Sequence, residues 1–505
     1  MRIVERVDFV AHCLLKQVVW HPRLNLVRLF LHYSAYMKHF LTYALFLLLG
    51  CSTSAADRPN IVFIMADDLG YTDLGVTGSD YYLTPNLDKL ASESMVFNAA
   101  YANCANCAPT RAALMSGMYA PRTGVYTVGS SERGKASDRV LIPTKNNDTL
   151  SMDFVTIAEV LKASGYTTAQ MGKWHLGEGE NGGPTTQGFD VNVGGHHGGH
   201  PKSYFSPYRN KYLEDGPKGE YLTDRLTREA ANFIGKQKGA GKPFFLYLPL
   251  YNVHTPIQPI KEMAAAADAR EKGKHHKNPK YAAMVEAMDL YLGRLFDALK
   301  EHGFADNTLV VFTSDNGGHG GVTDVHPLRG SKGMFYEGGI RVPLFVKYPG
   351  VTKAGATFDE PVVLLDFFPT LAEIGKGKLP TTQPVDGVSL LPVMRNPGKS
   401  LGREAIYFHF PAYLQGYSGG EGAEAQRPPW RATPCSAIRS GDWKLIQYFE
   451  TGEAELFNLA KDPGEQDDLS KKEAVKAIEL TAMLKVWQKE TNAPVPTEKN
   501  PKYKP

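Results

Sequence analysis

From Asn60 onward, apolar runs alternate with amphipathic stretches, the pattern of a buried, mostly parallel sheet flanked by helices. Ile61 to Ala66 (IVFIMA), Thr167 to Met171, Phe244 to Pro249 (FFLYLP), Thr308 to Thr313 (TLVVFT) and Pro343 to Tyr348 read as strands. Helical periodicity covers Pro85 to about Met95, Thr156 to Ser164, Thr223 to Gly235 and Lys280 to His302. After about Pro380 the pieces shorten: Ala405 to Phe410, Ser436 to Ile438, Lys444 to Tyr448 and Ala454 to Leu459 read as strands. A closing helix over Lys472 to Glu490 and a polar tail over Asn492 to Pro505 follow. The pattern predicts an α/β fold: a large, mostly parallel sheet sandwiched by helices, then a smaller C-terminal antiparallel sheet subdomain with a helix. The expected division is a main domain over residues 57–380 and a C-terminal part over 381–505; no internal repeat is found.

The N-terminal stretch reads differently. Met37-Lys38 opens a basic segment and Phe40 to Leu49 is an apolar run of signal-peptide length, so residues 37–56 read as an export signal. Residues 1–36 read as upstream of the start codon in use. The run Leu48-Leu49-Gly50-Cys51 resembles a bacterial lipobox, which would place a lipid anchor on Cys51; cleavage near Ser54-Ala55-Ala56 would release a soluble protein instead. Both leave the protein exported, to the periplasm, the outer membrane or the outside of a bacterial cell.

Composition narrows the partners. The formal charge of +3 rests on the first 56 residues, beyond which 50 basic residues face 51 acidic ones. No basic field and no nucleic-acid motif argue for nucleic acid. Five cysteines, of which Cys13 and Cys51 lie in the N-terminal stretch, do not make a disulfide scaffold. Cys104 and Cys435 are left as either a bridge or two thiols.

Candidate chemistry sits at predicted strand ends. IVFIMA runs into Asp67-Asp68 and TLVVFT into Ser314-Asp315-Asn316-Gly317-Gly318, a hard-oxygen set suited to Ca²⁺ and then Mg²⁺. No histidine is read beside these ends, which weighs against zinc. Each acidic pair alone would be read as a turn cap. Gly172-Lys-Trp-His-Leu-Gly177 places Lys173 and His175 in alternation on one strand-like face, and Tyr251-Asn-Val-His-Thr-Pro256 puts His254 just past FFLYLP. Leu328 to Pro343 carries Arg329, Lys332 and a Glu337–Arg341 pair read as structural. Gly194 to Pro201 brings His196, His197 and His200 beside aromatic and basic residues, a pattern suited to an anionic sugar.

The run Cys104 to Gly117 (CANCAPTRAALMSG) reads as a helix opening at Cys107, with Pro109 in its first turn and Gly117 as its stop. Its pattern C-x-P-x-R followed by A-A-L-x-S-G resembles the signature of the type I sulfatases. The other motifs and the C-terminal pieces from Ala437 and Leu456 extend the resemblance over nearly all the chain after Arg58, to arylsulfatases and N-acetylgalactosamine-sulfatases of the alkaline phosphatase superfamily. The resemblance implies that a maturation enzyme oxidises Cys107 to formylglycine, whose hydrate is the nucleophile. It implies one Ca²⁺ held by Asp67, Asp68, Asp315, Asn316 and a hydroxyl of the modified Cys107. It further implies that Arg111 supports the hydrate, that Lys173, Lys332 and His254 contact sulfate oxygens, and that His175 serves as a base. His254 or Lys332 would protonate the leaving alcohol. His196, His197, His200 and Arg329 are candidates for contact with the rest of a sulfated glycan. Thr110 stands where serine is more usual in the signature. The rival readings are a phosphodiesterase or phosphonate monoester hydrolase of the same superfamily, and a glycan-binding surface protein that catalyses nothing.

Overall fold

The computed structural model describes residues 58–416 and 430–504. The export signal, the lipobox at Cys51 and the upstream segment lie outside these residues. Along the chain the strands are β1 (Asn60–Ala66), β2 (Met95–Phe97), β3 (Ala100–Tyr101), β4 (Thr167–Met171), β5 (Val191–Val193), β6 (Phe244–Pro249), β7 (Thr308–Ser314), β8 (Leu344–Lys347), β9 (Thr357–Phe358) and β10 (Val362–Val363). The C-terminal part adds β11 (Ile406–Phe410), β12 (Leu414–Gln415), β13 (Trp430–Ala432), β14 (Cys435–Ser440), β15 (Trp443–Tyr448) and β16 (Ala454–Asn458).

Eight strands form the main sheet in the order β5-β4-β6-β1-β7-β8-β2-β9. The run from β5 to β7 is parallel throughout, and β8 pairs antiparallel with both β7 and β2. Strand alternation splits β1 between two cores: Val62, Ile64 and Ala66 pack on one face, Ile61, Phe63 and Met65 on the other. The first face is covered by the helices Leu222–Gln237 and Pro279–Glu301, the second by Cys107–Ser116 and Phe367–Ile374. Burial on both faces is why these strands read as continuous apolar runs.

Two boundaries differ from the reading of the sequence. The helix at Pro85 ends at Ser92, and Met95, expected at its end, instead starts β2 on the far side of the sheet. The polar C-terminal tail is pinned rather than free. Ile142 N donates to Glu498 O, and Asn500 donates from its side chain to the carbonyls of Ala136 and Arg139.

The small sheet runs β11-β14-β15-β16, antiparallel throughout, and the helix Ala474–Glu490 packs on it. Its core continues into the main domain through Tyr101, Cys104 and Phe335. Glu337 is the buried ionic link between the two, and it has closer partners than the expected Arg341. Lys444 Nζ lies 3.0 Å from it and Tyr101 Oη donates to it at 2.7 Å, whereas Arg341 stands 3.9 Å away. Cys104 and Cys435 are both buried thiols, with no disulfide between them.

His409 gives this subdomain a pH dependence. It lies opposite Ser436 in the β11–β14 register. Nδ1 is 2.7 Å from the Ser436 hydroxyl and Nε2 is 3.1 Å from the Pro494 carbonyl. A carbonyl only accepts, so Nε2 carries the proton and Nδ1 accepts from the hydroxyl. Burial holds the ring neutral, with its pKa pushed down to about 3. The unfolded chain binds this proton below about pH 6.5 and the folded chain does not, so stability falls as pH drops from 6.5 toward 3. The loss is on the order of a few kcal/mol by linkage. His409→Gln is expected to flatten this acid limb in chemical denaturation curves; an unchanged limb contradicts a buried neutral ring.

Candidate active site

Four neighbouring parallel strands deliver the site, because all of them point their carboxyl ends to the same edge. Ala66 pairs with Ser314 in the β1–β7 register, so Asp67-Asp68 and Asp315-Asn316 emerge side by side. Strand β6 leads to His254 and β4 leads to Lys173 and His175. Asp67, Asp68, Asp315, Asn316, Lys173 and Arg111 are all fully buried. Two non-glycine residues here hold positive φ, Asp68 at 61° and His175 at 65°, backbone strain of the kind that surrounding structure must fix in place.

The ionic pairing is close. Lys173 Nζ donates to both oxygens of Asp67 at 2.9 and 2.8 Å, and Lys332 Nζ reaches those of Asp68 at 2.6 and 2.7 Å. Arg111 donates from Nε and Nη2 to Asp315 Oδ2 at 3.0 and 2.6 Å, and from Nη1 to the Lys173 carbonyl at 2.8 Å. Arg111, expected to support residue 107, makes its hydrogen bonds to Asp315 and the Lys173 backbone, and its charge acts on Cys107 as well. Cys107 opens the helix Cys107–Ser116, and ligand atoms of Asp67, Cys107 and Asp315 lie within 4.8 Å of one another. A second such group is Asp67, Asp68 and His254. The expectation that no histidine adjoins the acidic strand ends is thus corrected. His254 Nε2 is 3.5 Å from Asp68, and His319, directly after the Asp315–Gly318 run, lines the same cleft.

Electrostatics follow from burial. Burial pushes the Asp67 carboxyl well above the usual carboxylate range, Asp315 and Asp68 add to this, and Lys173 opposes it. Burial would raise Asp68 too, but Lys332, with Lys173 behind it, outweighs it and holds its pKa low. Burial and Lys173 keep His175 neutral; burial and Lys332 do the same for His254. His254 Nδ1 lies 2.7 Å from the Thr255 carbonyl, so it carries the proton and Nε2 offers a lone pair toward Asp68. Burial raises the Cys107 thiol, against the pull of Lys173 and Lys332.

The donors fit a hard divalent cation. Three buried carboxylates converge, and Asn316 Oδ1 is a buried acceptor without a hydrogen bond, while its Nδ2 donates to Asp68 at 2.9 Å.

Lys173 and His175 do reach the site, but from a loop, because β4 ends at Met171. The turn depends on Gly172, at φ 121°, where an added Cβ would lie 2.0 Å from the Pro249 carbonyl oxygen. Gly172→Ala is expected to cost at least about 2 kcal/mol and to lower turnover by displacing Lys173. Thermal unfolding and an activity assay check it; wild-type values in both would contradict the tight turn.

The cleft above these groups has a volume of about 500 Å³. His197 and His200 line it, the latter with its ring stacked against His254 at 6.1 Å. His196 does not line it: its Nδ1 accepts from Gly198 N and its carbonyl accepts from His175 N, so it braces the loop. Arg329 is also spent elsewhere, stacked 4.0 Å over Tyr336 and donating to the Glu465 carbonyl. Arg133, Arg431 and His319 line the cleft without having been read as site residues. His319 was within reach of a sequence reading, being next to Gly318; nothing in the sequence links Arg133 to Arg431.

The family model described as Sulfatase matches residues 59–377, and that described as N-sulphoglucosamine sulphohydrolase, C-terminal, matches residues 330–492. The chain belongs to the sulfatase family. This sulfatase is 35% identical to a "Sulfatase" of Formosa agariphila, over 87% of the chain and 90% of that protein. It is 32% identical to human arylsulfatase A, over 84% and 86%. Among solved structures it is similar to Ps i-CgsB in complex with k-i-k-neocarrahexaose, with a TM-score of 0.70, 32% identity, and coverage of 85% of this chain and 92% of that one. The phosphonate monoester hydrolase of Agrobacterium radiobacter, at 21% identity and a TM-score of 0.63, shares the fold. The protein is thus a sulfatase enzyme with a large mixed, mostly parallel sheet and a small antiparallel one.

Proposed function

We propose that this sulfatase removes sulfate from a sulfated carbohydrate, using a formylglycine made from Cys107 and a Ca²⁺ ion held by Asp67, Asp68, Asp315 and Asn316. The observation that carries the reading is the convergence of Cys107 with three buried carboxylates, two lysines and an arginine at one sheet edge. A buried thiol with a raised pKa is a poor nucleophile as it stands, which supports a chemically converted residue 107. The carbohydrate substrate is supported by the neocarrahexaose bound to Ps i-CgsB.

Bound Ca²⁺ would supply positive charge to polarise a sulfate oxygen and residue 107. Formylglycine would supply a geminal diol, one hydroxyl to attack sulfur and a second whose deprotonation expels sulfate. Lys173 and Lys332, already gathered in a buried pocket, bind sulfate oxygens and stabilise the charge that grows on them. His254, neutral and with its Nδ1 proton committed to Thr255, has no proton to give from Nε2. Lys332 is therefore the donor to the leaving oxygen. His175, held neutral and with a buried Nδ1 lacking a partner, takes the proton of the second hydroxyl. Arg111 keeps Asp315 and the Lys173 backbone in place.

Conversion of Cys107 calls for a formylglycine-generating partner, and the N-terminal signal supports export, with either a lipid at Cys51 or a free N-terminus near Ala56. The test of function is sulfate release from defined sulfated saccharides by the matured enzyme, with position identified. Sulfate release from at least one saccharide, exceeding phosphonate or phosphodiester turnover and lost on chelation until Ca²⁺ is restored, is expected. Activity that survives chelation contradicts the metal; phosphodiester turnover exceeding sulfate release contradicts the reaction.

A further inference from the structure

Asp68 holds a left-handed backbone at φ 61° and still supplies a fully buried carboxylate, so structure outside the site must hold its loop. That loop runs on through Gly70 to Asp73, a second fully buried carboxylate that the reaction does not use. Asp73 closes the turn on itself: Gly70 N donates to its Oδ2 at 2.7 Å, and its own N donates to the Gly70 carbonyl at 3.2 Å. Tyr281, in the first turn of the helix Pro279–Glu301, donates to the same oxygen at 2.6 Å. The Tyr281 hydroxyl also stands 3.4 Å from the carbonyl of Asp68 itself. On the other oxygen, Oδ1, Thr323 donates at 2.6 Å from the loop that follows Asp315-Asn316. His276 Nε2 stands 3.5 Å from Oδ1, and its Nδ1 is 3.0 Å from Asp80.

These contacts join the two acidic strand ends from behind. Gly318 and Gly70 pack so closely that a Cβ added to Gly318 would lie 3.1 Å from Gly70 Cα and 2.7 Å from Thr323 Cγ2. An ionised carboxylate only accepts, so both oxygens of Asp73 suit the donors around them. Its charge is balanced within the protein. Burial disfavours a charge on the His276 ring, but Asp73 and Asp80 outweigh it and raise its pKa. None of Asp73, Tyr281, His276 and Thr323 lines the catalytic cleft, so they act on it only through the loops they hold.

We infer that Asp73 is a positioning residue for the cation site: with Tyr281, Thr323 and His276 it clasps the loop after β1 to the loop after β7, and so fixes the spacing between Asp67-Asp68 and Asp315-Asn316. This rests on the Ca²⁺ reading above and deepens it. The ligands decide which ion is taken, and the clasp decides how tightly. Carboxylates whose spacing is not held must be brought into place each time an ion binds, at a cost in affinity.

The test uses the matured full chain, stripped of metal with a chelator and titrated with Ca²⁺ by isothermal calorimetry. The melting temperature of each metal-free protein and its sulfate release at saturating Ca²⁺ are measured alongside. Tyr281→Phe deletes one hydroxyl and Thr323→Val replaces one by a methyl. Each is expected to weaken Ca²⁺ binding about tenfold. Asp73→Asn should weaken it further, since one side of the group then turns an amide N–H toward donors. Thr323→Ser, which keeps the hydroxyl, should stay within about twofold of wild type. Sulfate release lost at low Ca²⁺ should return at saturating Ca²⁺. A merely structural brace would lower the metal-free melting temperature and leave the affinity as it was. Wild-type affinity in the variants therefore overturns the clasp, and so does a loss that Thr323→Ser shows in full. If Asp73→Asn does not fold, the two hydroxyl substitutions decide. A wild type that takes up no Ca²⁺ overturns the metal reading and the clasp with it, whereas a wild type that binds Ca²⁺ no better than its variants overturns the clasp alone.

Discussion

Cys107→Ala is expected to lower sulfate-ester turnover by about 10⁴-fold or more, while the protein keeps its fold. The side chain is the first of the helix Cys107–Ser116, and its sulfur lies within 4.8 Å of carboxylate oxygens of Asp67 and Asp315, where the nucleophile is placed by the proposed reaction. Deleting one buried sulfur costs on the order of 1 kcal/mol, too little to unfold a domain whose sheet is buried on both faces. Cys107→Ser should fare no better in steady state: a serine offers one oxygen and has no second hydroxyl with which to expel sulfate. Circular dichroism and thermal unfolding alongside the sulfate assay check this. A variant that unfolds would mean that residue 107 is structural, and one that still turns over would place the nucleophile elsewhere.

Asp315→Ala is expected to abolish activity and to destabilise the protein together. Asp315 Oδ2 accepts two hydrogen bonds from Arg111, and Oδ1 accepts from Asp68 N at 3.2 Å. Removing it leaves a fully buried guanidinium with Asp67, 3.9 Å away and already held by Lys173, as its remaining counter-charge, which costs on the order of 3 kcal/mol. The double variant Asp315→Ala with Arg111→Met separates the two effects. Stability should largely return because the stranded charge is gone, while activity should not, because an oxygen donor next to residue 107 is still missing. Recovered turnover in the double variant would contradict a catalytic place for Asp315.

The sequence carried the site where one strand end sufficed to announce it. Continuous apolar runs bounded by Asp67-Asp68 and by Asp315-Asn316 mark buried parallel strands, and the sheet's register then brings the two ends together. The lysine and histidine of Gly172–Gly177 were legible as site residues, but for a reason the structure replaces: a glycine turn after β4, not alternation along a strand. Short strands such as β2, β9 and β10 were invisible because two or three residues carry no period; their neighbours decide their pairing. Arg329 looked promising for its closeness to Lys332 in sequence, yet stacking on Tyr336 takes it out of the cleft. Arg133 and Arg431 show the converse, since only folding brings a loop and a C-terminal strand to one cavity.

Mass spectrometry of the peptide containing Cys107, from enzyme purified out of a host that matures it and assayed for sulfate release in the same preparation, goes most directly to the centre of the account. An aldehyde at position 107, in a proportion that tracks the specific activity from batch to batch, is the predicted result. An intact thiol at that position in a preparation releasing sulfate at full rate would contradict it.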